Sequence, residues 1–203
     1  MPTETFMNLS KEKQRKIIHA AKKEFARVSL PEVSIKNIVE EAGIARGSFY
    51  QYFETKEELL QYITQSGLKE LEENMKKIIE STKGDIFEVF LSIYDKMIEK
   101  CFSHEDGELY RNILMNLKAS QGTLFEKMHR NKKDIIQEYI HLVDTSKLKI
   151  EKEQDLDTIF HILYALTRVA LTTLYRYPSR EEAREEYQKQ LEYIKYGIAK
   201  QNE

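Results

Sequence analysis

One short helix, expected over Ala45–Phe53, divides its residue types between two chemistries. At about 100° per residue, Arg46, Gly47, Ser48, Tyr50 and Gln51 fall on one face, and Ala45, Phe49, Tyr52 and Phe53 on the other. The second face is what a hydrophobic core takes. The first suits the major groove of duplex DNA. An arginine bonds guanine O6 and N7 or a phosphate, Ser48 and Gln51 offer donors to bases or phosphates, and Tyr50 offers a phenol to a phosphate oxygen. Gly47 removes a side chain where backbone would meet the duplex. Two lysines flank this face. Lys36, near the start of the preceding helix, could reach a base edge or the backbone. Lys56, in the first turn of the following helix, could hold a phosphate together with the exposed amides there. Tyr52 is on the core side, where packing competes with a phosphate contact.

These side chains need elements to hold them. Ser10 caps a first helix whose buried stripe is Ile17, Ile18, Ala21, Phe25 and Val28. Ser29-Leu30-Pro31-Glu32 breaks it. Ser34 caps a second helix with Ile35, Ile38, Val39 and Ala42 inward. The turn Ala42-Gly43-Ile44 joins this helix to the two-faced one, and Gly43 suits the left-handed backbone that a tight helix-to-helix turn requires. Thr55 and Glu58 have capping-box spacing and open a long fourth helix, about Lys56 to Glu80. Five more helices follow: about Asp85–Phe102, Glu108–Ala119, Thr123–Val143, Gln154–Tyr177, and a ninth capped by Ser179 with Glu182. The eighth is apolar on most of its circumference, so it must be buried on several sides. The pattern predicts an all-α protein of about nine helices. A three-helix head, residues 1–55, contains a helix-turn-helix at about 33–52. A larger helical body spans 56–203.

Composition agrees. The chain has 203 residues, 41% hydrophobic and 33% charged, with 3 prolines and 7 glycines, which favours helices around a real core. Net charge is −2, so bulk charge does not announce a nucleic-acid partner. Its distribution is more informative: residues 10–28 carry Lys11, Lys13, Arg15, Lys16, Lys22, Lys23 and Arg27 against Glu12 and Glu24, a locally basic first helix. A single cysteine, Cys101, excludes an internal disulfide and fits a reducing compartment. The first residues lack the apolar core of a signal peptide and no apolar run reaches membrane-spanning length. A cytoplasmic protein that does not enter membranes is the expectation.

The run AGIARGSFYQYFETKEELL, residues 42–60, resembles the helix-turn-helix of the TetR family of bacterial transcriptional regulators. The family pattern places a glycine turn at Gly43, a small or basic pair at Ala45-Arg46, Gly47-Ser48, an apolar Phe49, Tyr50, a variable Gln51, the aromatics Tyr52 and Phe53, then Lys56-Glu57-Glu58-Leu59. The likeness covers about 50 residues. It implies that Lys36, Arg46, Gly47, Ser48, Tyr50, Gln51, Tyr52 and Lys56 occupy operator-contacting places. Ala45 stands where many members carry Ser or Thr, so the recognition helix loses a side-chain cap. The resemblance further implies a pocket for a small-molecule effector in the body, for which Phe90, Tyr94, Met97, Tyr110, Met115, Met128, Tyr164 and Arg168 are candidates. Arg168 stands out because an arginine inside an apolar helix needs a partner. An effector there would tilt the fourth helix and respace two heads.

The last two helices offer more apolar surface than one protomer covers. Pairing with a second copy would bury it as a four-helix bundle, through Leu163, Leu171 and Leu174 of the eighth helix and Tyr187, Leu191, Ile194 and Ile198 of the ninth. The histidines have no metal-ligand spacing, and no nucleophile elbow or phosphate loop is present. The expectation is therefore no enzyme activity, metal or cofactor. Three readings stand: a homodimeric repressor of a palindromic double-stranded operator released by a small molecule, a helical DNA-binding protein without a ligand response, and a helical enzyme or lipid carrier.

Overall fold

The computed structural model describes residues 2–104, 106–116, 139–146 and 148–197, without the side chains of 66–72, 115, 116, 140 and 153. Among these residues the regular elements are helical: α1 (Glu4–Met7), α2 (Lys11–Arg27), α3 (Ile35–Ala42), α4 (Arg46–Tyr52), α5 (Lys56–Ser81), α6 (Ile86–Cys101), α7 (Gly107–Asn116), α8 (Glu153–Thr172) and α9 (Arg180–Tyr196). Short 3₁₀ turns occupy Leu30–Glu32, Ile140–Leu142 and Leu174–Arg176. No described helix is long and apolar enough to cross a membrane.

The helix starts follow local chemistry. The hydroxyls of Ser10, Ser34 and Ser179 accept from the amides of Lys13, Asn37 and Glu182, each satisfying one orphan donor of a first turn. Before α5 the capping is reciprocal. The Glu58 amide donates to Thr55 Oγ1 at 3.1 Å, and the Glu54 amide donates to Glu58 Oε2 at 2.8 Å. Asp85 caps α6 through the amides of Phe87 and Glu88. The four-residue α1 precedes the helices read from the sequence, and one expectation needs correcting. The helix expected to run to Tyr177 ends at Thr172, where the hydroxyls of Thr172 and Thr173 donate back to the carbonyls of Val169 and Ala170 and a 3₁₀ turn follows over Leu174–Arg176. The helix expected over 123–143 lies mostly outside the described residues.

The described chain forms two compact units, residues 2–71 with 103–116, and residues 72–102 with 139–197. In the first, α1 to α4, the start of α5 and α7 close around Phe6, Ile17, Phe25, Ile38, Phe49, Phe53, Leu59 and Leu109, all at most 3% exposed. α7 lies against α2. Asn112 Nδ2 donates to the carbonyls of Phe25, Ala26 and Val28 at 2.7, 3.2 and 2.7 Å, and Lys22 pairs with Asp106 at 2.6 Å. Division by compactness thus falls elsewhere than after residue 55. α5 runs from the first unit into the second.

In the second unit α6, α8 and α9 pack on one another. Tyr94 stacks on Tyr187 with centroids 4.1 Å apart, Tyr187 and Thr167 hydroxyls meet at 2.6 Å, and Tyr94 Oη donates to the Ala183 carbonyl. Burial pushes Tyr187 up to about 12 and Tyr94 higher still. Ion pairs Arg184–Asp95 and Lys195–Asp85 fasten α9 to α6 and its cap. At Gly84 (φ +75°) the Asp144 amide donates to its carbonyl at 2.9 Å, and a Cβ would sit 2.6 Å from Leu142 O, so this crossing needs glycine.

Candidate nucleic-acid interface

α3 and α4 meet in the turn that the sequence predicts. Gly43 is left-handed, at φ 66° and ψ 36°. The Ile44 amide donates to Val39 O and the Gly43 amide to Glu40 O, the paired bonds of a Schellman end. Ala45 stands at the N-cap of α4 and makes no side-chain cap, as the missing hydroxyl implies. Phe49 and Phe53 are wholly buried and tilt together with centroids 6.1 Å apart. That inner face turns Arg46, Gly47, Tyr50 and Gln51 to solvent, with Ser48 half-buried. Tyr50 is 53% exposed and sets its ring edge-on to Phe49 at 5.4 Å. Around Gly47 a built Cβ meets nothing within 4 Å. Lys36 is exposed in a loose pair with Glu40 at 3.7 Å.

Two expected contacts stand differently. Tyr52 is 4% exposed and sets its ring against Phe6, so its ring packs in the core. Lys56 Nζ donates to Pro31 O at 2.7 Å and Val33 O at 3.2 Å. Its ammonium first of all ties the turn ahead of α3 to the start of α5.

A residue that the sequence reading passed over organises the entry to α3. Glu24 is 5% exposed on α2. Its carboxylate accepts both Nε and Nη2 of Arg27 at 2.9 and 2.8 Å, the Ser34 amide at 3.0 Å and Asn37 Nδ2 at 3.2 Å. Chiefly the Arg27 guanidinium, with those two amides, holds its carboxyl below the usual range against the cost of burial. An acid between Ala20, Ala21 and Phe25 on a buried stripe was the available signal.

Of the described residues expected to line an effector pocket, five lie on α6 and α8, which pack on each other. Tyr110 belongs to the first unit; Phe90, Tyr94, Met97, Tyr164 and Arg168 belong to the second. Phe90 is buried and lies 6.0 Å from the Phe160 ring. Tyr94 is wholly enclosed by the stacking described above. Met97, Tyr110 and Tyr164 are half-buried, and burial raises the Tyr164 phenol while Arg168 opposes it. Arg168 is exposed, so the burial argument for a partner does not apply. Met128 and the side chain of Met115 lie outside the described residues. No group of three or more His, Cys, Asp or Glu that could hold a metal occurs among the described residues.

The expected dimer face also needs redrawing. Leu163, Leu171, Leu174, Tyr187 and Leu191 are at most 5% exposed within a single chain, so they fill the protomer. Ile194 is 38% exposed, and Ile198 lies outside the described residues. The outward apolar residues of α8 are instead Ile162 (48%) and Val169 (58%).

Comparison with known proteins agrees with this geometry. Residues 17–63 match the family model described as bacterial regulatory proteins, tetR family. Residues 85–198 match the tetracyclin repressor-like C-terminal domain. An uncharacterized HTH-type transcriptional regulator, YfiR of Bacillus subtilis, is 33% identical over 88 residues, 43% of this chain and 42% of that protein, so the chain matches less than half of that relative's length. A TetR family transcriptional regulator from Chloroflexus aurantiacus has 25% identity and a TM-score of 0.58 over 97% of this chain and 95% of its own. The regulator FadR from Bacillus subtilis, solved in complex with stearoyl-CoA, has a TM-score of 0.63 at 20% identity over 91% of this chain and 99% of its own, a likeness of fold.

Proposed function

Because the chain belongs to the TetR family of bacterial transcriptional regulators, we propose that it is a homodimeric repressor that reads a palindromic operator with α4 and is released by a small molecule bound in the C-terminal part. Regulators of this family bind operator DNA, act as dimers and take small-molecule ligands, and are normally not enzymes. Transcription in a bacterium takes place in the cytoplasm, which is where we place the protein.

The observation that carries the reading is the division of α4: Phe49 and Phe53 fully inside, Arg46, Tyr50 and Gln51 outside, and open space over Gly47. Buried aromatics fix the helix while its outer face stays free for base edges. Arg46 and Gln51 are proposed for bases, Lys36, Ser48 and Tyr50 for phosphates. Lys56 can add a phosphate with its third ammonium proton, the other two being donated to the 31–33 turn. Functionally, residues 1–55 form the reading head, and 56–203 the effector and dimer part. The second copy docks on the outward stripe of α8 and α9, through Ile162, Val169, Tyr193 and Ile194, since the inward stripe is taken by the protomer itself. Phe90, Met97 and Tyr164, all in the second unit, are our proposed effector contacts. The similar fold solved in complex with stearoyl-CoA makes a long-chain acyl-CoA a reasonable first probe.

The test uses a duplex selected by the full-length protein from a random-sequence pool. Losing a bidentate guanine contact costs about 1–3 kcal/mol, so Arg46→Ala should weaken binding to that duplex about fivefold or more. Selection of no duplex, or an Arg46→Ala protein that binds like the parent, overturns the assignment of α4. Native mass spectrometry of the purified protein then looks for a co-purified small molecule, whose addition should release the duplex.

A further inference from the structure

α4 is only seven residues long. A helix that short does not hold itself in water, and its last carbonyls have no partner inside the helix. Phe49 O accepts the Phe53 amide at 2.9 Å. Two later carbonyls of the last turn are met from far away in sequence: Thr3 Oγ1 donates to Gln51 O at 2.6 Å and the Thr3 amide to Tyr52 O at 3.0 Å. The same hydroxyl accepts the Phe6 amide at 3.3 Å, so Thr3 caps the start of α1 while closing the end of α4.

α1 is in turn anchored at both sides. Phe6 is 0% exposed, its ring 4.8 Å from Phe53 and 5.5 Å from Tyr62. Beyond it, the buried Gln14 of α2 donates Nε2 to the carbonyls of Phe6, Met7 and Leu9 at 3.1, 3.0 and 3.1 Å, and Lys11 Nζ donates to Gln14 Oε1. A continuous set of bonds therefore runs from α2 through α1 to the end of α4 opposite Arg46. A segment that only filled space would need Phe6; it would not need Thr3 to bond two successive carbonyls of the recognition helix. Gln51 joins the two roles: its carbonyl is held by Thr3 while its side chain is exposed on the reading face.

We propose that residues 3–9, held by Gln14, are a positioning clamp for α4, and that Thr3 sets the angle at which Arg46, Gly47 and Gln51 are presented to DNA without touching DNA itself. The inference rests on the reading of α4 as the DNA-reading helix.

Thr3→Val removes the hydroxyl at nearly constant volume, and Thr3→Ser keeps it. Full-length proteins are compared on the duplex selected by the parent, and by amide hydrogen exchange in the absence of DNA. A lost hydrogen bond of ordinary strength corresponds to a weakening of about two- to tenfold. The expected result is that drop for Thr3→Val, with faster exchange at Gln51–Phe53, unchanged exchange in α9, and restoration of both by Thr3→Ser. Unchanged binding, unchanged exchange at α4, exchange raised equally through α2 and α3, or no rescue by serine each overturns the clamp. If the parent selects no duplex, it is the DNA assignment that fails, and the exchange pattern with its serine rescue alone decides whether Thr3 holds α4.

Discussion

At the scale of single residues, Gly47 shows fold and function asking for different things. Its φ is ordinary and a Cβ there would meet nothing, so no internal contact requires glycine. Within a helix, glycine costs about 0.5–1 kcal/mol relative to alanine. Gly47→Ala should therefore raise the melting temperature by roughly 1–4 °C while weakening binding to the selected duplex, because the added methyl stands between the backbone and the groove. Differential scanning calorimetry and a fluorescence anisotropy titration measure the two sides. A variant that is more stable and binds as well as the parent would show that α4 does not approach DNA at this point. Gly43 is the contrasting case: its left-handed backbone is a demand of the fold. Tyr52 and Lys56 teach a related point. Both stand where the family pattern places operator contacts, and in both the side chain is already engaged inside the protein. Position in a motif does not by itself distinguish a side chain that reads from one that braces.

At the scale of elements, the joints between helices are made by side chains that end on backbone. Glu24 is the bridge from α2 to the start of α3. Its folded-state carboxyl is depressed below the unfolded value. It therefore stabilises the head above the unfolded carboxylate range, and that contribution is lost as pH falls through the folded value. The parent should lose stability on acidification from about pH 5 to about pH 3. Glu24→Gln should be less stable near neutrality by roughly 1–2 kcal/mol, a discounted figure because Arg27 is half in water, and its stability should vary less over that acid window. Urea unfolding at several pH values checks this; parallel pH profiles for the two proteins would exclude the bridge. These joints also mark where sequence reading stops. The caps at Ser10, Ser34, Thr55 and Ser179 and the turn at Gly43 lie within a few residues of the groups they satisfy, and they were legible. Thr3 to Gln51, Lys56 to Pro31 and Asn112 to Val28 span 48, 25 and 84 residues. Each donor is a common polar residue bonding a carbonyl that every residue type carries, so no pattern announces the pair. The two-faced character of α4 was legible because one helical period reports both of its faces.

At the scale of the whole molecule, the apolar excess of α8 and α9 was legible, but not its direction. A helix apolar nearly all round carries two stripes, and only packing decides which is internal. Leu163, Leu171 and Leu191 went inward, leaving Ile162 and Val169 outward. Val169→Glu should convert the dimer to monomer in sedimentation velocity at micromolar concentration, with helical content retained, since Val169 is already 58% exposed in one chain. It should also weaken binding to the palindromic duplex, as two half-sites are no longer read together. A dimer that persists would place the second copy elsewhere.

The seam between α7 and α2 has a consequence for exchange between regulators. Residues 1–55 look like a detachable cassette when counted along the chain, but Asn112 donates to carbonyls at the end of α2 and just past it, and Lys22 pairs with Asp106. A hybrid regulator spliced after residue 55 would receive a head whose first long helix ends on another protein's side chains. The unit that can be grafted is discontinuous in sequence, and residues 106 and 112 have to travel with the head to which they belong.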